Sequence, residues 1–121
     1  GNIKLVQILL DSGADVNAPA ADWGCTALQW AVISRDIELV QVLLNEGADV
    51  NAPPAACGDD SRTALQAAAE DGNIELVLIL IEEGANVNAP APELGYTALQ
   101  AAVRFGHVEL IEILIGEGAD I

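Results

Sequence analysis

The chain has 121 residues, 52% of them apolar, and sets 19 acidic side chains against 4 basic ones for a net charge of −15. That is one domain's worth of chain with a sizeable core, far too apolar for a disordered acidic tail. Such a polyanion repels nucleic acid and anionic membrane surfaces, and its apolar runs are too short to span a bilayer, so neither is an expected partner.

Gly1 to Gly13 reads as a single helix, capped by Asn2 and closed at Gly13 in a Gly-Ala-Asp-Val run. Val16-Asn-Ala-Pro follows and cannot continue a helix, so an extended, hairpin-like loop is expected up to Thr26. Thr26-Ala-Leu-Gln opens a short helix, in which Gln29 stands three residues after the threonine as a capping box requires. Leu28, Ala31 and Val32 form its packed side. A tight turn then leads to Asp36, the cap of a longer amphipathic helix with Ile37, Val40, Leu43 and Leu44 facing inward. Glu38 suits that helix's positive first turn, and Gly47 ends it.

The same order of signals then recurs. Thr63 and Gln66, Leu65, Ala68 and Ala69, the turn at Gly72, the cap Asn73 with Glu75, and Ile74, Val77, Leu80 and Ile81 lead to Gly84. Thr97 and Gln100, Leu99, Ala102 and Val103, the turn at Gly106, Glu109, and Val108, Ile111, Leu114 and Ile115 lead to Gly118. Gly72 and Gly106 stand where a left-handed backbone ends a helix. The Gly-Ala-Asp/Asn motif at Gly13, Gly47, Gly84 and Gly118 is spaced 34, 37 and 34 residues apart. Repeats are therefore expected at about 14–47, 48–84 and 85–118, with a partial unit at 1–13 and the start of another loop at 119–121. Antiparallel helix pairs joined by such loops make an all-α solenoid, a one-dimensional stack rather than a globule with one centre. Both ends fall inside a unit and lack polar caps, so the chain is expected to come from a larger array and to be monomeric by itself.

Three positions depart from the pattern. The loop between Val50 and Thr63 is three residues longer than its counterparts and carries Pro53, Pro54, Gly58, Asp59 and Asp60. Arg35 takes the place of Gly72 and Gly106, where a left-handed backbone costs a side chain roughly 1 kcal/mol. Leu78 falls where the other longer helices have Gln7, Gln41 and Glu112, and is expected on the outer surface.

Catalysis lacks the means. His107 is the sole histidine and reads as a turn residue; there is no glycine-rich phosphate cradle with a lysine, no Cys-x-x-Cys and no histidine cluster. Acid pairs such as Asp59–Asp60 and Glu82–Glu83 lack the alternating spacing of a calcium loop. No catalytic, cofactor or metal site is expected. Cys25 and Cys57, the two cysteines, lie in corresponding loops and form no disulfide framework, which suits a reducing intracellular, cytoplasmic setting.

These registered motifs resemble ankyrin repeats over essentially the whole chain, with Thr-Ala-Leu-Gln where that family usually has Thr-Pro-Leu-His. The Gly-Ala-Asp-Val-Asn-Ala-Pro wording is similar to the ankyrin arrays of large filamentous-fungal proteins. The resemblance implies a non-catalytic scaffold that binds a partner through loop tips and the concave face of the first helices. Carried onto this sequence, that face comprises Trp23, Cys25, Ile33 and Ser34, then Arg62, Glu70 and Asp71, then Leu94, Tyr96, Arg104 and Phe105. Trp30 is expected in the packing between repeats instead. Of the four aromatic residues, the other three fall on this face, where interface energy tends to concentrate. The expected partner is a protein or peptide, basic or bearing an exposed apolar anchor; Arg62 and Arg104 could also meet a partner carboxylate. The alternative is a structural spacer or an intramolecular regulatory segment. The outer acids Glu38, Glu46, Glu75, Glu82, Glu83, Glu109, Glu112 and Glu117 read as solubilising.

Overall fold

The computed structural model describes residues 3–18, 26–53, 55–56, 61–91 and 95–121. Helix α1 (Ile3–Asp11) is followed by three helix pairs: α2 (Ala27–Ile33) with α3 (Ile37–Asn45), α4 (Ala64–Asp71) with α5 (Ile74–Glu82), and α6 (Ala98–Arg104) with α7 (Val108–Gly116). The long loop holds a two-residue antiparallel ladder, β1 (Ala55–Ala56) with β2 (Ser61–Arg62), in which Ala55 faces Arg62. Within each pair the two helices pack on one another, and α4 sits between α2 and α6. The architecture is an all-α repeat solenoid.

Each short helix starts as its sequence dictates. The Thr26, Thr63 and Thr97 side chains accept from the amides of Gln29, Gln66 and Gln100, whose side chains accept in return from the threonine amides at 2.9–3.0 Å. Gln29 and Gln66 do more than cap. Their Nε2 groups donate forward to the carbonyls of Pro53 and Pro90, at 2.9 and 3.0 Å, tying each short helix to the loop ahead of it. Buried at 2% and 3% exposure, both amides have partners on either side, as burial of a polar group demands.

A second set of ties runs along the loops. Asn17 donates to the Gly47 carbonyl and accepts from the Asp49 amide; Asn51 does the same with Gly84 and Asn86, and Asn88 with Gly118 and Asp120. Each carboxamide thus spends its donor and its acceptor on the next loop along the stack. The core between the ties is continuous: Leu28, Val40, Leu43, Leu65, Leu76, Val77, Leu80, Leu110 and Leu114 are buried. Leu76 and Leu110 belong to it although the helical pattern drawn from the sequence passed them over.

Trp30 is not core. It is 60% exposed, whereas its counterparts Ala67 and Ala101 are buried. That side of each short helix faces the short helix before it, and among the described residues none precedes α2. The same reason leaves Leu9 53% exposed while Leu43, Leu80 and Leu114 are buried, since α1 has no short helix packed on it among the described residues. At the other end, Val103 is exposed where Val32 and Ala69 are covered by the following pair.

Candidate protein-binding face

The turns between paired helices carry the inner edge of the stack, and all of them need a positive φ. Gly72 and Gly106 have φ 73° and 75°, and Arg35, as its place in the pattern implied, has φ 59°. Fixed in that turn, the Arg35 guanidinium forms an ion pair with the Asp71 carboxylate at the end of α4. Arg62, at the end of β2, pairs with Glu70 at 2.9 Å. The long loop therefore delivers a cation to the inner edge of the second pair.

Phe105, the residue just past α6, is half-exposed and organises its surroundings. Tyr96 meets it edge-on with ring centroids 6.4 Å apart, and the Arg104 guanidinium lies over it at 5.9 Å. The His107 ring lies nearly parallel to the Phe105 ring, with centroids 6.4 Å apart. His107 takes the cap position of α7 yet makes no side-chain cap bond there, unlike Asp36 and Asn73. Its ring reaches back to the second pair, with Nε2 3.1 Å from the Glu70 carbonyl, and covers Gly72. That reach across the stack was not legible from a lone histidine at a turn.

Between these features lies an open groove of about 260 Å³, lined by Val32 and Ile33, by Arg62, Ala67, Glu70 and Asp71, and by Phe105. It spans all three helix pairs. Of the residues singled out from the sequence, the structure brings Ile33, Arg62, Glu70, Asp71 and Phe105 to this groove, with Tyr96 and Arg104 against Phe105. Ser34 is exposed at the end of α2 and does not line it. Trp23, Cys25 and Leu94 lie outside the described residues, as do Cys57, Asp59 and Asp60 of the long loop and the cap residue Asn2. The eight glutamates named above, and Leu78, are exposed and do not line the groove.

Among the described residues no three His, Cys, Asp or Glu side chains converge as metal ligands would, and no helix is long and apolar enough to cross a membrane. The sequence matches the family of ankyrin repeats (3 copies) over residues 1–54 and 53–121. The chain belongs to the ankyrin-repeat family. Ankyrin repeats are generally protein–protein interaction modules, and their fold is typically non-catalytic. Comparison with curated proteins returned no match.

Proposed function

We propose that this ankyrin-repeat chain is a non-catalytic recognition module that holds a partner protein or peptide against the inner edge of its stack. The observation that carries the reading is the groove formed jointly by three helix pairs, with exposed Ile33 and Phe105 at its sides and Tyr96 against Phe105. Aromatic side chains backed by other rings are the groups that dominate binding energy at interfaces. At about 260 Å³ the groove falls below the roughly 300–1,000 Å³ of small-molecule sites, and it suits a side chain of a partner better than a cofactor. Two cysteines in 121 residues, too few for a disulfide framework, fit an intracellular setting for the module.

Capture from extracts of the source cells tests this, with three baits of equal helicity by circular dichroism. They are the unmodified chain, an inner-face variant (Ile33→Ala with Phe105→Ala) and an outer-face variant (Glu75→Lys with Glu112→Lys). Proteins held by the first and third baits but lost by the second support recognition at the groove. Retention by all three, or loss with the outer-face variant alone, overturns it.

A second reading, a spacer within a longer stack, draws on the apolar side chains exposed at the two ends: Leu5, Leu9 and Trp30 at one, Val103 and Ile115 at the other. It predicts no saturable partner for any bait.

A further inference from the structure

The charges around the groove are not those of the rest of the molecule. Three of the chain's four cationic side chains, Arg35, Arg62 and Arg104, stand at or beside it. Facing them are two carboxylates, Asp71 and Glu70, each already in an ion pair with one of those arginines. Asp36, next to Arg35 in the chain, turns its carboxylate instead to the Leu39 amide at the start of α3. Among the described residues named here, three arginines thus meet two carboxylates at the groove, on a chain whose total is −15. Arg104, exposed like Arg35, differs from its two neighbours: it lies over the Phe105 ring, and no carboxylate of the described residues forms an ion pair with it.

Building on the recognition-module reading, we infer that the groove takes an extended peptide segment in which an apolar side chain is accompanied, within about three residues, by a carboxylate. The apolar side chain enters between Ile33 and Phe105 over Val32 and Ala67, and the carboxylate meets the Arg104 guanidinium. An extended chain advances about 3.3 Å per residue, and packed helices lie about 8–10 Å apart, so three residues cross from one pair to the next. The groove covers two such steps, from the end of α2 past α4 to Phe105.

The overall negative charge does not defeat this assignment. A carboxylate about 4 Å from a guanidinium at a protein surface gains on the order of 1–4 kcal/mol. The outer glutamates are exposed to solvent, and salt at physiological strength screens exposed charges beyond about 8 Å. Contact therefore outweighs the screened field, and an acidic group gains most at Arg104, whose guanidinium has no ion pair among the described residues and stands beside an aromatic ring.

The test uses fluorescein-labelled decapeptides of Gly and Ser with one central Leu or Phe, flanked within three positions by two Glu, two Ser or two Lys. Their affinities for the intact chain are read by fluorescence anisotropy at about 150 mM salt. The Glu-flanked peptides are expected to bind at least about tenfold tighter than the Lys-flanked ones, as a charge-assisted hydrogen bond gives. Arg104→Glu, with unchanged circular dichroism, should reverse that order, and Phe105→Ala should weaken every peptide by about tenfold or more. Equal or tighter binding of the Lys-flanked peptides, or an order unmoved by Arg104→Glu, overturns the carboxylate assignment. Full binding by Phe105→Ala overturns the place of the apolar side chain. Failure of every peptide to bind also overturns the inference, while the capture experiment decides the broader reading separately.

Discussion

The turn between short and long helix is built three times in this chain, and no two copies are alike. All of them bend the backbone to positive φ: 59° at Arg35, 73° at Gly72 and 75° at Gly106. At the first, a side chain accepts that conformation and is tethered to Asp71 of the next pair. At the second, the His107 ring of the third pair lies so close that a Cβ on Gly72 would come within 2.5–2.8 Å of its atoms. At the third, no atom of the described residues lies within 4 Å of where a Cβ would go. The backbone rule is common to all three, but what the neighbouring pair lays over the turn decides what each position tolerates.

Substitution should separate the three turns, with the largest effect expected at Gly72. Gly72→Ala combines a left-handed side chain with displacement of a ring that is hydrogen-bonded and stacked, and should cost about 2–4 kcal/mol in urea unfolding. Adding His107→Ala should return part of that loss; strict additivity in the double-mutant cycle would mean that the ring is not the obstacle. Gly106→Ala meets only the backbone penalty and should cost about 1–2 kcal/mol. His107→Ala alone removes the contact with the Glu70 carbonyl and should cost about 1 kcal/mol, read in the same unfolding experiment. Arg35→Gly should show the smallest change. Relief of roughly 1 kcal/mol of backbone strain is offset by loss of an exposed ion pair, worth about 0–1 kcal/mol, and by glycine's freedom in the unfolded chain. A loss above about 2 kcal/mol would show that the Arg35–Asp71 tether holds the first two pairs together.

How much of this was legible in the sequence follows the range of each interaction. Capping is a matter of three residues, so the starts of α2, α4 and α6 could be read directly from Thr26, Thr63 and Thr97 and the glutamines after them. Backbone sign at Arg35 could be read by alignment with its own repeats. Its tether could not, because Asp71 lies 36 residues on and only stacking brings it near. The forward bonds of Gln29 and Gln66 were hidden for the same reason, their capping role giving a sufficient local account. Trp30 was misread because its position in a repeat was correctly aligned, while the cover that such a position needs comes from a neighbouring helix. At the candidate face, alignment with known repeats named residues that do come together, among them Ile33, Glu70 and Phe105. It could not say that the two carboxylates there are already partnered, nor that Arg104 is aimed over an aromatic ring.

The loop asparagines give the stack a chemical clock. Asn17, Asn51 and Asn88 each set an amide nitrogen against a glycine carbonyl and an oxygen against a backbone amide, so their orientation is fixed by their partners. Spontaneous hydrolysis of one side chain to aspartate leaves the oxygen in place but replaces the nitrogen with a second acceptor. Two electron-rich oxygens would then face each other across the junction, carrying one more negative charge on a chain that already has −15. Ageing of a single carboxamide would in this way loosen one junction and leave the helices on either side intact.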